Sequence, residues 1–388
     1  MRILYIGAFP PDFLIAKSKG KIDYLYRAHT AIIKGLRGTS DVELHVITSP
    51  DMASYPKCPL FVKKEYNRDE DVMVVSSLNL PILKQFWTIC SMVIAACKII
   101  RQSRSPIVIL IPYVVLRHVV SLRILHLLFP RRVIQACVVP DVFFPKGRIY
   151  RSINAMTEKM ASKFDGFIFY TEKMANRFNV SKDKYVVIEG FRDISVREPT
   201  PTKIFRVVYA GTLSLSYGVG RLVEAMEFID NKDIELHLYG FGDGEVMIRD
   251  ACARDTRIVF HGRVSNMAAS DAVYSASVLI NPRNSTDGEY TEYSFPSKDI
   301  EYMSSGVPTL LCKLPGMPEA YYGHFIDIED GSPKRIASAI VDVYNMPIER
   351  RMQIGNDSRT FIIERMDCYK QAGRIVSLLQ QITNNNNR

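Results

Sequence analysis

The chain has 388 residues, 47% hydrophobic and 23% charged, the balance of a globular protein too long for one growing core, so two domains are expected. Its seven cysteines, at 58, 90, 97, 137, 252, 312 and 368, show no paired metal-ligand spacing and an odd total, which speaks against a disulfide scaffold or zinc finger and for free thiols in a reducing compartment. The net charge of +9 is uneven: residues 1–190 carry 28 basic and 15 acidic side chains, the remainder 22 and 26.

Taken in chain order, Met1-Arg-Ile-Leu-Tyr-Ile-Gly7 reads as a buried strand, because the apolar run is too short for a signal peptide and no small-residue cleavage site follows. Gly7 and the downstream Ser18-Lys19-Gly20 mark a loop where backbone amides can approach a phosphate, or a plain turn. Further strands are predicted at 44–47, 73–76, 107–110, 133–138, 167–170 and 186–188. The apolar run Phe86–Cys97, interrupted at Thr88 and Ser91, falls short of the roughly 18 to 20 residues that cross a bilayer. Residues 101–150 hold eight basic side chains and one acidic one, and the helix predicted within Leu116–Arg132 has a greasy face with a basic margin. Such a helix can lie on an anionic bilayer, or simply cover a parallel sheet. Asp141, after the strand ending Cys137-Val-Val-Pro140, can orient or deprotonate an acceptor hydroxyl, or cap a helix.

Phe191–Phe205, with Pro199 and Pro201, reads as a hinge. Beyond it, strands are predicted at 206–209, 235–239, 257–260, 278–280 and 309–311. Both halves thus alternate strands with helical periodicity, the pattern of helices on both faces of a parallel sheet, whose ligands bind beyond the carboxyl ends of the strands. In the loops there, Gly240-Phe-Gly242-Asp-Gly244 has the wrong spacing for a dinucleotide fingerprint. Arg283 follows the strand Ser277-Val-Leu-Ile-Asn-Pro and can grip a diphosphate with two hydrogen bonds, or pair with Asp287 or Glu289. Tyr293-Ser-Phe-Pro-Ser-Lys-Asp-Ile-Glu-Tyr-Met-Ser-Ser-Gly-Val-Pro308 carries the richest signal. Pro296 suits a first helical turn, Ser294 or Ser297 can cap it, Lys298 adds a mobile cation at an anion-binding helix start, and Glu301 one turn on can accept hydrogen bonds from vicinal hydroxyls such as those of a ribose. A terminal helix is predicted at about 359–382, before a disordered Asn-rich tail. No histidine pair has zinc-site spacing, and the basic stretch lacks the aromatic interleaving of a nucleic-acid binder.

Phe295-Pro-Ser-Lys298 with Glu301-Tyr-Met and Gly306-Val-Pro308, preceded in order by Val208-Tyr-Ala-Gly-Thr-Leu213, Leu236-His-Leu-Tyr-Gly-Phe-Gly-Asp-Gly244 and Ile258-Val-Phe-His-Gly262, resembles the donor domain of the GT-B glycosyltransferases grouped as family 4. Leu279-Ile-Asn-Pro-Arg283 and Gly316-Met-Pro-Glu-Ala-Tyr-Tyr322 resemble the subgroup that makes bacterial capsular and exopolysaccharides. The resemblance implies an α/β fold of GT-B architecture, two Rossmann-like parallel-sheet domains facing a central cleft. Residues 1–195 would bind the acceptor and 203–358 the donor, with a helix at 359–383 packing back on the first domain and a disordered tail at 384–388. It implies retaining transfer from a nucleoside-diphosphate sugar to a glycan or polyprenyl-diphosphate-linked acceptor, without a cofactor or obligatory metal, in the cytoplasm or peripherally on the inner face of the cell membrane. The implied catalytic residues are Asp141, Arg283 and Lys298, and the implied donor contacts Gly211, Thr212, Gly242, Glu292, Phe295, Pro296, Ser297 and Glu301, with Gly7, Lys19 and Gly20 in the first domain's loop. Two departures stand out. Thr212 and Tyr217 occupy positions where the family often has an Arg and a Lys on the donor diphosphate, leaving Lys298 and Arg283 as substitutes, and Glu292 and Glu301 are separated by eight residues where seven is usual. A nucleotide-sugar epimerase on this fold and a non-catalytic assembly subunit remain open alternatives.

Overall fold

The computed structural model describes residues 1–7, 23–49, 52, 54–68, 71–81, 83–191, 197–200, 202–293 and 295–386, without the side chains of residues 23–27. The chain forms two compact units: Met1–Asp193 with Asp367–Arg388, and Ile194–Met366.

The first unit is built on β1 (Arg2–Gly7), β2 (Glu43–Thr48), β3 (Phe61–Val62), β4 (Glu65–Asn67), β5 (Val72–Val74), β6 (Ser77–Leu78), β7 (Ile107–Ile111), β8 (Val133–Val139), β9 (Gly166–Phe169) and β10 (Tyr185–Val187). Eight of these form one sheet in the order β10-β9-β8-β7-β1-β2-β5-β4, parallel except where β4 meets β5. β3 and β6 make a small antiparallel pair. The helices are α1 (Asp23–Arg37), α2 (Leu83–Gln102), α3 (Leu116–Leu128), α4 (Arg148–Ala161) and α5 (Glu172–Phe178). β7 and β8 are buried along their whole length, as expected of parallel strands covered on both faces. Within the greasy stretch 101–132, β7 has no exposed residue and Val119, Leu122 and Leu125 of α3 are inside, while Leu127 and Leu128 at the end of α3 are exposed.

The second unit holds β11 (Phe205–Thr212), β12 (Ile234–Phe241), β13 (Ile258–Gly262), β14 (Val278–Asn281), β15 (Thr309–Leu311) and β16 (Ile326–Asp327). They form a parallel sheet in the order β13-β12-β11-β14-β15-β16. Its helices are α6 (Val219–Ala225), α7 (Glu245–Arg254), α8 (Asn266–Tyr274), α9 (Ser297–Ser304), α10 (Pro333–Asn345) and α11 (Ile348–Met366). Strand alternation divides the core. Val207 and Tyr209 of β11 join one cluster with Leu236, Ile280 and Ile340, while Val208 joins another with Leu279, Tyr302 and Val307. β11 lies between β12 and β14, so the strand order reverses between β11 and β14. The carboxyl ends of those two strands are where an open α/β sheet places its ligand.

The chain's last helix differs from the expectation of one helix at 359–382. Asp367 divides the segment, its carboxylate accepting the amides of Tyr369 at 3.0 Å and Lys370 at 2.8 Å, which caps α12 (Cys368–Asn386). α12 packs in the first unit, where a Cβ on Gly35 would overlap the Cys368 carbonyl and one on Gly166 would press on Ile382. The segment expected to be a tail from 384 is helical as far as Asn386, and residues 387–388 lie outside the described residues.

Candidate active site

The site in the second unit starts from two glycines. Gly211 near the end of β11 faces Gly240 of β12 in register, and Gly240 has φ +134°, where a side chain would be strained and would overlap the Gly211 carbonyl. A side chain on Gly211 would in turn fill the place of the Lys298 ammonium. The bare strand end makes room for a lysine.

Lys298 is the second residue of α9. Its ammonium donates to the Ala210 carbonyl and lies 5.1 Å from the centre of the Tyr209 ring and 5.6 Å from that of Tyr302. It is thus anchored, where the sequence suggested a mobile cation. Burial of the ammonium lowers its pKa to about 8, with Glu301 acting in the opposite sense. Tyr302 closes the arrangement: its hydroxyl accepts the Ala210 amide at 2.8 Å. Asp299, next along the helix, is buried; its pKa is raised to about 6 by burial, against the hydrogen bond it accepts from Asn281 at 2.5 Å.

The start of α9 also differs in detail from the expectation. Pro296 is the capping residue itself, with φ −61° and ψ 122°, Ser297 is the first helical residue, and no side chain caps the turn. Ser294 lies outside the described residues. Phe295 is buried in a core cluster, its ring centre 4.7 Å from that of Tyr321, so it anchors the loop. Glu301 is half-buried one turn along α9, and Glu292 is exposed at the end of the short turn Glu289–Glu292.

Arg283 approaches from the other side of the reversal point, two residues beyond β14. Its guanidinium sits 3.7 Å from the centre of the Tyr217 ring and 5.8 Å from that of Tyr290, and the two rings meet edge to face at 5.9 Å. The Tyr290 hydroxyl donates to the Ser216 carbonyl at 3.1 Å, fixing the bracket. Asp287 is not its partner. Arg221 takes both oxygens of that carboxylate, at 2.8 and 2.9 Å, and among the described residues Arg283 makes no salt bridge. Tyr217, which stands where the family often has a basic residue, therefore carries a basic residue on its ring.

Thr212 is exposed, and its carbonyl accepts the Tyr209 hydroxyl at 2.8 Å. Gly242 packs its backbone on Leu213, and Asp243 accepts the Leu215 amide at 2.9 Å, so this loop is a packed turn. In the first unit, Gly7 ends β1 with its carbonyl on the Ser49 amide at 3.0 Å, while Lys19 and Gly20 lie outside the described residues. Asp141 is exposed beyond β8, its carboxylate accepting the Val142 amide at 2.9 Å, and the next described helix in the chain starts only at Arg148. Among the described residues, no group of three or more His, Cys, Asp or Glu side chains is placed to hold a metal ion.

Residues 204–346 match the family model of the glycosyl transferases group 1. The second unit is thus similar to the glycosyl transferases group 1. Every residue from Tyr209 to Tyr302 in the site above falls inside the matched region. Solved structures match nearly the whole chain: Anabaena HepE in complex with UDP is 15% identical over 98% of this chain and 100% of its own, with a TM-score of 0.68. Sucrose-phosphate synthase from Thermosynechococcus elongatus is 16% identical over 98% of each chain, with a TM-score of 0.67, and the OtsA apo structure 11% identical over 97% and 98%, also at 0.67. By sequence, no curated protein matches. At these identities the structural likeness shows the fold, which is GT-B. Together the group 1 match and this fold support a glycosyltransferase.

Proposed function

We propose that the protein is a retaining glycosyltransferase of the family 4 kind, acting in the cytoplasm at the inner face of the cell membrane in capsular or exopolysaccharide synthesis. It would move a sugar from a nucleoside-diphosphate sugar to a glycan or polyprenyl-diphosphate-linked acceptor. The observation that supports this reading best is the convergence of Lys298 and Arg283 on the reversal point of the sheet within the group 1 match.

As the bond between the anomeric carbon and the diphosphate breaks, the leaving oxygens gain negative charge, and fixed cations stabilise that change most. Arg283 is held by its tyrosine bracket, so little reorganisation is needed when the charge develops. Lys298 supplies the second cation from the start of α9, the end of a helix that favours anions. Glu301 would accept the ribose hydroxyls, and no step in this scheme requires a metal.

The HepE complexes contain UDP and UDP-glucose, which makes a UDP-sugar the first donor to test. Calorimetry with UDP-, GDP-, TDP- and CMP-sugars should find one class that binds, and Glu301→Ala should weaken that binding by about 1.5–3 kcal/mol. Transfer to acceptor, with the anomer read by NMR, then separates a retaining transferase from an epimerase, which changes the donor with no acceptor present. Absence of affinity for every nucleotide sugar would leave the assembly-subunit reading.

A further inference from the structure

α2 is apolar on two faces. One, with Thr88, Met92, Ala95, Ala96 and Ile100, is buried in the first unit. The other presents Leu83, Phe86, Trp87 and Ile94, which are 53, 72, 41 and 71% exposed. Residues 83, 87 and 94 are four and seven apart, so they form a stripe along one side of the helix. Phe61, 45% exposed, extends the stripe, meeting the Trp87 ring edge to face at 5.8 Å. Contiguous exposed side chains of this size mark a surface that binds something.

The charge along the sequence that contains the stripe, and the two cations on α2 itself, point to the partner. From Val72 through Pro140 there is no Asp or Glu, while the same stretch contains eight Lys or Arg. Lys98 and Arg101 stand exposed at the end of α2 itself. An anionic bilayer satisfies both features, because the apolar side chains enter the boundary between headgroups and acyl chains while the cations meet the lipid phosphates. The helix also has the length and hydropathy to cross a membrane, being 20 residues and longer than the apolar run alone suggested. Crossing would strip its buried face from the unit, so the geometry favours a helix lying in the plane of the interface.

We propose that the exposed stripe of α2 docks the first unit on an anionic bilayer. α2 leads into β7, and a helix entering a parallel strand runs antiparallel to it, so the stripe in its first half stands toward the carboxyl end of the sheet. β1 ends there at Gly7, and Asp141 follows β8 there. If the glycosyltransferase reading holds, lipid headgroups are thereby brought to the end of the unit where an acceptor is expected; the docking itself does not depend on that reading.

Trp87 is the only tryptophan in the chain, so its fluorescence reports on the stripe directly. The full chain is titrated at low salt with phosphatidylglycerol/phosphatidylcholine vesicles and with phosphatidylcholine alone, and partition is read in parallel by sedimentation. The expected result is a blue shift and co-sedimentation with the anionic vesicles only, both reversed as salt screens the charge. The double variant Phe86→Ser, Ile94→Ser should partition about tenfold or more weakly, as should Lys98→Glu, Arg101→Glu. Because these positions are exposed, the variants should keep the parent's urea midpoint and nucleotide-sugar affinity, which separates failed docking from failure of the donor site. Three outcomes would overturn the proposal: no anionic-vesicle binding, binding with unshifted Trp87 emission, or apolar variants that bind like the parent. A dimer formed without vesicles and lost in the apolar variant would also overturn it, by assigning the stripe to a second copy.

Discussion

Beyond β11 the second unit holds Lys298 and Arg283 against tyrosine rings, whereas around β1 and β7 the first unit encloses His29 and His118. His29 is bonded to the Tyr5 hydroxyl, packs edge to face on Tyr113, and is pushed down to about 3 by burial. His118 is also pushed well below its ordinary value by burial, and its ring nitrogens have no hydrogen-bond partner among the described residues. Both stay neutral at ordinary pH. Among the described residues, the reversal point of the second sheet thus holds cations, while that of the first encloses neutral rings. The difference also runs against formal charge: the half of the chain with the acidic excess holds the inward cations, while in the basic half Lys98 and Arg101 are displayed outside. An anion site depends on where charges are held, which net charge does not report.

The sharpest way to break this contrast is to remove the inward cations. Arg283→Ala and Lys298→Ala should each lower single-turnover transfer at saturating donor by about 10²–10³-fold, or roughly 2.7–4 kcal/mol, with a smaller change in donor affinity. Normal rates in both variants would remove the clamp from the mechanism. Next in size is the glycine pair that makes the lysine's room. Gly240→Ala meets both a backbone overlap and a left-handed φ, and should cost about 3 kcal/mol or more in urea unfolding. Gly373→Ala, in α12 of the first unit with open space around it, is the control and should be neutral or stabilising by up to about 1 kcal/mol.

A third test uses pH. Lys298 in the free protein has its pKa lowered to about 8, and a bound diphosphate would raise it, so donor affinity is full below pH 8 and lost above it. Calorimetry should show about tenfold weaker binding at pH 9 than at pH 7, and Lys298→Arg should flatten that limb because arginine stays charged. Smallest of all is the bracket. Tyr217→Ala should weaken donor binding by about 0.5–1 kcal/mol through loss of the ring beneath Arg283, while Tyr217→Phe, which keeps the ring face, should bind like the parent. Equal losses in both would mean that the hydroxyl, and not the ring, matters.

Much of this architecture was legible in the residues because doubly covered parallel strands are short continuous apolar runs, as at Ile107–Ile111 and Val278–Asn281. The Phe295–Pro308 segment also announced its helix, with the positions of Lys298 and Glu301 on it. What stayed hidden depends on side chains far apart in sequence. Tyr217 and Tyr290 reach Arg283 only because the strand order reverses between β11 and β14, and nothing local says that Arg221 takes Asp287 in its place. The anchoring of Lys298 was equally hidden, since it needs the missing side chain of Gly211. On α2, the sequence shows an apolar run but not that Met92 and Ala96 face inward while Phe86 and Ile94 face out.

The placement of α12 has a consequence for the order of events during synthesis. The 173 residues of Ile194–Met366 separate the bulk of the first unit from the helix that packs on it. At roughly 5–20 residues per second, a ribosome takes on the order of 10–30 s to make that stretch. Throughout that interval the surfaces around Gly35 and Gly166 wait uncovered, and by its end the second unit, contiguous in sequence, has all its residues while the first still lacks its last helix. The residues of the later unit are therefore complete before those of the earlier one.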